Sequence, residues 1–462
     1  MLRNLSLYLL VMLTFGAGIF WVLKAGARLQ PAAGVAVESS DASKAPQSKD
    51  GAMIILLLQV IVVVGAARLA GWLARKIGQP AVVGEMAAGI LLGPSFLGLA
   101  FPSVQHLVFP PASLGGLRML SQVGVILFLF VVGLDLDVSH LRRKAHAAVL
   151  VSHAGIVIPF FLGLSFSLLI FRPLAPPHVA FGPFALFIGV AMSITAFPVL
   201  VRIIEERGLS RSFLGTTAIT CAAVDDATAW CLLAFVVAIV HAGSLWSAAA
   251  TIGLVLAFVL LMLFVVKPLA RRVTGLATAL VFLFASALIT ELLGIHALFG
   301  AFLAGVVLSA NETLRGVLKE RLESFSAIFL LPLFFAFTGL RTQIGLLSGW
   351  RDWALCAGIV AVAVAGKLGG SMLAARWTGM GWRDAFSIGA LMNTRGLVEL
   401  IALNLGYDLG ILPPRIFAMM VIMALFTTVM TGPLLTLAER WRARAEASPL
   451  CVTGTAAPKY PH

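Results

Sequence analysis

A chain of 462 residues that is 60% hydrophobic and 11% charged, with a mean hydropathy of +1.02, lies outside the composition of soluble domains, where about a quarter of residues are charged. It is that of a polytopic membrane protein and not of a soluble enzyme. The net charge of +13 does not mark a nucleic-acid binder, because the basic residues fall in short clusters between apolar runs and not along one stripe.

A helix needs roughly 17 to 25 apolar residues to cross a bilayer. The first run, LSLYLLVMLTFGAGIFWVL, follows Arg3. It reads as a signal peptide or anchor helix over 1–30, its length favouring the anchor. A polar, extracytoplasmic linker over 31–52 follows. The core, 53–438, carries thirteen further runs, at about 53–74, 80–98, 117–135, 147–171, 183–204, 213–240, 246–268, 275–293, 296–310, 324–340, 353–376, 384–406 and 415–437. A short tail, 439–462, ends the chain. Cys221, Cys231, Cys356 and Cys451 do not stand at metal-ligand spacing, so neither a zinc site nor a disulfide framework is expected. No cofactor is implied.

Loop charge orients the spans. With residue 53 outside, the inner loops receive Arg75 and Lys76, then Arg142, Arg143 and Lys144, then Arg207 and Arg211, then Lys267, Arg271 and Arg272. Further on they receive Arg315, Lys319 and Arg321, Arg376 and Arg383, and Arg440, Arg442 and Arg444. The outer loops receive only Arg118, Arg172, Arg341, Arg351 and Arg415. This asymmetry predicts a core with its N-terminus outside and its C-terminus in the cytoplasm.

Four ionisable residues lie deep in predicted spans: Asp225 and Asp226 in CAAVDDATAW, Lys367, and Arg395. Each costs roughly 2.5–3.5 kcal/mol near a helix centre on insertion scales, on the order of 10 kcal/mol together. A structural salt bridge would need one acid and one base. Adjacent acids, about 100° apart around a helix, cannot both face one partner, so the set points to function. Ala222, Ala223, Ala227 and Ala229 leave room for close helix packing or for a partly hydrated ion.

Two spans carry internal breaks. Pro198 removes a backbone donor near Thr195, and Asn393, Thr394, Arg395 and Gly396 interrupt the run at 384–406. Irregular backbone at membrane depth is tolerated where protein buries it or where it lines a cavity. The spans at 147–171, 183–204 and 213–240 read as plain, broken and acid-bearing. Those at 353–376, 384–406 and 415–437 read as lysine-bearing, broken and plain, in the opposite orientation. Paired broken helices in inverted repeats point to an ion site near the midplane of a secondary transporter.

The stretches IGQPAVVGEMAAGILLGPSFLG, GVILFLFVVGLDLD, AAVDDATAW, GIHALFGAFLAGVVLS, LPLFFAFTGLRT, AGKLGG and LMNTRGLVELIALNLG follow one another from about 77 to 406. With this ordered set the chain resembles the second monovalent cation:proton antiporter family, which includes bacterial sodium or potassium/proton antiporters and plant cation/proton exchangers. The resemblance implies an all-α membrane domain over 53–438, a homodimer, and a scaffold bundle beside a six-helix core whose two broken helices cross at the ion site. It implies that Asp226 is the carboxylate that binds cation or proton, and that Asp225 pairs with Lys367. Thr195 and Pro198 match the first crossover; Asn393, Thr394 and Arg395 match the second. Glu399 is a further candidate.

A carboxylate that holds a proton or a hard monovalent cation, but not both, is an exchanger. Hard cations prefer oxygen ligands. The expected activity is antiport of Na+ or K+ against H+ across the cell (inner) membrane, with the lipid bilayer and a second copy as partners. The alternative is a sodium-coupled organic-solute symporter on the same scaffold, which would not need Lys367. An intramembrane aspartyl protease would need its two acids on facing helices. Glu85, Asp135, Asp137, Glu291 and His296 receive structural readings, with Asp135 and Asp137 beside Arg142 and Arg143 at the cytoplasmic surface.

Overall fold

The structure, a computed structural model, describes residues 2–31, 49–135, 145–210, 212–241, 245–270, 275–294 and 296–446. The linker over 31–52 and the tail over 439–462 fall largely outside the described residues, as do Asp137, Arg142, Arg143, Lys144, Arg211, Arg271 and Arg272. Every regular element among the described residues is helical, because hydrocarbon offers backbone groups no partner but their own helix. Eleven of these helices are long and apolar enough to cross a membrane, or twelve if the bent pair Trp382–Met392 and Leu397–Asp408 is one span; Leu276–Leu292 and Ala297–Leu308 are shorter.

The helices form two packed bodies. In the first, Lys49–Lys76 packs on Ala81–Leu92, which lies against Leu331–Arg341. Leu114–Asp135 packs on both Leu331–Arg341 and Ala297–Leu308, and Leu276–Leu292 covers the latter. Small residues let these backbones touch: a Cβ on Gly305 would stand 2.1 Å from the Phe130 carbonyl oxygen, and one on Gly133 would stand 2.2 Å from that of Phe302.

The second body is built on Ala145–Leu174, which touches Phe181–Ser193, Phe213–His241, Trp350–Val364 and Gly370–Trp377. Trp382–Met392 then packs on Phe213–His241, Gly370–Trp377 and Pro414–Glu446. The N-terminal helix Leu2–Gly26 lies along Ala145–Leu174. There Tyr8 meets His153 edge-on at 5.7 Å between ring centroids, and Phe15 meets Phe161 at 5.3 Å.

One element was not foreseen from hydropathy. Glu312–Phe325 is an amphipathic helix that buries Leu314, Leu318 and Leu322. Asn311 caps it, its side chain accepting from the Leu314 N–H at 3.1 Å. This helix brings Lys319 to Asp135 at 2.8 Å and Arg315 to 3.9 Å. Asp135 is thus tied to a helix far along the chain, while Arg142 and Arg143, expected beside it, lie outside the described residues.

The glycine contacts make a test with opposite signs. Gly305→Ala is expected to lower the melting temperature of the purified protein through overpacking of about 1–3 kcal/mol. Gly316→Ala, whose Cβ would meet nothing within 4 Å, should raise it slightly by removing about 0.5–1 kcal/mol of glycine entropy. Equal shifts in the two variants would contradict the close backbone approach at Gly305.

Candidate functional site

The site begins with two interruptions in backbone hydrogen bonding. The first broken span is helical over Phe181–Ser193 and again over Phe197–Glu206, with Ile194 and Ala196 extended between the halves. Pro198 lies in the first turn of the second half, where its missing N–H leaves no helical bond unmade. The second broken span is helical over Trp382–Met392 and Leu397–Asp408, bent by 43°. Gly396 has φ 152°, a backbone that side-chain-bearing residues rarely adopt.

Each break supplies what the other lacks. The Ala196 N–H donates to the Thr394 carbonyl at 3.0 Å, and the Thr195 hydroxyl donates to the Met392 carbonyl at 3.0 Å. Thr428, on Pro414–Glu446, donates to the Arg395 carbonyl at 2.7 Å and accepts from the Arg395 N–H at 3.2 Å. The Thr394 and Thr431 hydroxyls are 3.4 Å apart.

The half-helix ending at Ser193 leaves carbonyls at its negative end. Two buried cations from the other repeat take them. The Arg395 guanidinium donates to the Ala191 carbonyl at 2.7 Å and also to that of Met192. The Lys367 ammonium donates to the Ser193 carbonyl. Lys367 also donates to Asp225 at 2.9 Å, and the Asp225 carboxylate accepts from the Thr195 N–H through its other oxygen at 2.8 Å. Lys367 itself sits in a π-helical turn, Ala365–Gly369, a local widening often found at functional positions.

Asp226 is placed differently. It is 1% exposed, and neither carboxylate oxygen has a hydrogen-bond partner among the described residues. Leaving a buried carboxylate in this condition is costly. Glu399, fully buried, faces Arg395 at 3.4 Å with no hydrogen bond to either oxygen, and the buried Asn393 amide is likewise unpartnered. Asp225 is saturated by Lys367 and Thr195, while among the described residues its neighbour has the Trp230 indole turned toward it but no hydrogen bond to either oxygen. Among the described residues no group of three or more His, Cys, Asp or Glu side chains stands in a metal-holding arrangement.

The remaining acids have local tasks. Glu291 accepts from the Ala297 N–H at 2.7 Å, tying down the turn in which His296 has φ 82°. Glu85 lies buried on Ala81–Leu92 in the first body. Sequence reasoning missed Thr428 and the three carbonyls of Ala191, Met192 and Ser193. Thr427, Thr428 and Thr431, grouped within one apolar helix, were the visible signal for the first.

Inverted triplets meeting at paired breaks, with charges gathered there, define a class of integral membrane transporter. Residues 63–438 match the family of transmembrane sodium/hydrogen exchangers, and the chain belongs to that family. It is 42% identical over 395 residues to the Na+/H+ antiporter NhaS4 of Synechocystis, covering 83% of this chain and 96% of the relative. It is 40% identical to cation/H+ antiporter 17 of Arabidopsis thaliana over 83% of this chain and 48% of the relative. To K+/H+ antiporter 1 of Saccharomyces cerevisiae it is 33% identical over 77% of this chain and 43% of the relative. The chain therefore spans nearly all of the first relative and about half of the other two. Among solved structures, the sodium proton antiporter MjNhaP1 of Methanocaldococcus jannaschii at pH 8 shares the fold, with TM-score 0.54 at 16% identity, covering 85% of this chain and 98% of that one.

The geometry of the pair sets a stability test. Lys367→Met should destabilise the purified protein by about 3–5 kcal/mol, because it strands a buried carboxylate. Adding Asp225→Leu should restore part of that loss. If the double variant is less stable than the single one, Lys367 and Asp225 do not act as a pair.

Proposed function

We propose that the protein is a secondary antiporter that exchanges a monovalent cation, Na+ or K+, for H+ across the cell membrane, and that Asp226 is the group that takes either one. The observation that carries this reading is the buried, unpartnered Asp226 carboxylate beside an Asp225–Lys367 pair already complete at 2.9 Å. The buried charges gathered at the two breaks are Asp225, Asp226, Glu399, Lys367 and Arg395, and when all are ionised the three acids and two bases leave one formal negative charge. One proton or one monovalent cation brings it to zero, so the two compete for the same place.

Asp225 holds Lys367 and the first break in position, and Lys367 and Arg395 hold the end of the half-helix Phe181–Ser193. Thr195, Asn393 and Thr394 lie at the meeting of the breaks, where backbone and side-chain oxygens suit a hard cation. Exchange proceeds by alternating access, the second body, which carries the site, moving against the first. The protein works as a homodimer, with the N-terminus of its core outside and its C-terminus in the cytoplasm. The names of the relatives, Na+/H+ and K+/H+ antiporters, support the choice of ions.

The test uses vesicles carrying an imposed pH gradient and a pH-sensitive dye. Addition of Na+, K+ or Li+ to wild-type vesicles should dissipate the gradient for at least one ion. Asp226→Asn should reduce that dissipation to the level of empty vesicles. Dissipation unchanged in Asp226→Asn would remove the residue from its role, and no response to any cation would favour solute symport.

A further inference from the structure

The two bodies meet differently at the two faces of the span. At the face that loop charge assigns to the outside, side chains join directly. Leu331–Arg341, of the first body, ends in Arg341, whose guanidinium lies 2.7 Å from Asp408 and donates to the Asn404 side-chain oxygen at 3.0 Å. Asn404 and Asp408 stand one turn apart near the end of Leu397–Asp408, the outer half of the second broken span. Asn404 in turn donates to the Thr338 hydroxyl of the first body at 2.8 Å. Arg118, on Leu114–Asp135, reaches Asp408 at 3.3 Å. The pocket here holds about 40 Å³.

At the opposite face a cleft of about 330 Å³ separates the bodies, with Arg75, Gln79 and Pro80 on one side and Ile203, Glu206 and Arg207 on the other. It adjoins a further space of about 590 Å³ extending past Leu437 and Arg440. Among the described residues the side-chain bonds between the bodies thus gather at the outer face, and the larger cleft lies at the inner one.

Asp408 explains why the junction holds one state. A carboxylate at the carboxyl end of a helix opposes the helix dipole. Arg341 and Arg118 offset that only while the first body lies against the second. The pair is partly exposed, with side-chain exposures of 14% for Arg341 and 25% for Asp408, and an ion pair of this kind can form and part reversibly. We propose that Arg341–Asp408, braced by Arg118 and by the Asn404–Thr338 bond, is the closure of the outer face, and that it parts each time the site opens outward. This rests on the exchange reading given above.

The experiment locks the closure and then loosens it, in a background with the four native cysteines replaced. In the double variant Thr338→Cys with Asn404→Cys, oxidation should stop cation-dependent dissipation of the pH gradient, and a reductant should restore it. Each single variant should be indifferent to the oxidant. Separately, a membrane-impermeant maleimide added outside should label Ile401→Cys, at the lining of the outer pocket, several-fold faster when Asp408→Asn or Arg341→Gln is present. Rates are compared on protein that elutes as a single folded species. A cross-linked double variant that exchanges at its reduced rate overturns the proposal. So does unchanged labelling in both loosened variants, which also decides the matter where the cross-link does not form. Failure of the cysteine-free parent to exchange any cation would instead count against the antiport reading.

Discussion

Everything at the centre of this protein follows from the refusal of hydrocarbon to solvate a charge or an unpaired backbone group. A helix broken at membrane depth exposes N–H and C=O groups, and a buried lysine or aspartate exposes a full charge. Either alone would be ruinous. Here the two liabilities cancel: the cations Lys367 and Arg395 take the carbonyls at the end of Phe181–Ser193, and the anion Asp225 takes the N–H of Thr195. The broken backbone is thus the solvent of the charges, and the charges are the solvent of the backbone.

That mutual arrangement gives adjacent aspartates unlike fates. Asp225 is consumed by the framework, with both oxygens engaged. Asp226, rotated about 100° around the same helix, is carried into the interior without a hydrogen-bond partner among the described residues. A fixed ion pair next to an unmatched carboxylate provides a stable geometry and one exchangeable charge, which is what the proposed function requires. A symmetric pair of acids sharing one proton would provide neither.

Much of the fold was legible because the membrane simplifies the code. Long apolar runs could be read as helices. Pro198 and the NTRG stretch marked the breaks, and the four intramembrane charges stood out against their surroundings. What these residues touch was not legible. Arg395 reaches carbonyls of Ala191 and Met192 some 200 positions away, and backbone acceptors have no letter in a sequence. Thr428 stands out in sequence only as one of three threonines in an apolar helix, and nothing in that cluster names the Arg395 backbone as its partner. Glu312–Phe325 escaped notice because its apolar stripe is three leucines wide and its remaining face is charged. The chain brings Lys319 to Asp135 from 184 positions on, a pairing that no local pattern announces.

The same long-range dependence bears on how the chain is made. Asp225 leaves the ribosome 142 residues ahead of Lys367, and at about 5–20 residues per second that gap is on the order of 10 s. During this interval the first triplet has its acids and its interrupted helix but neither of the bases that complete them. It cannot reach its final packing as an independent unit. Insertion of the first half must therefore tolerate a polar, unfinished span, kept near water or at a protein-lined exit, until the second repeat arrives. The inverted halves are partners in assembly before they are partners in transport.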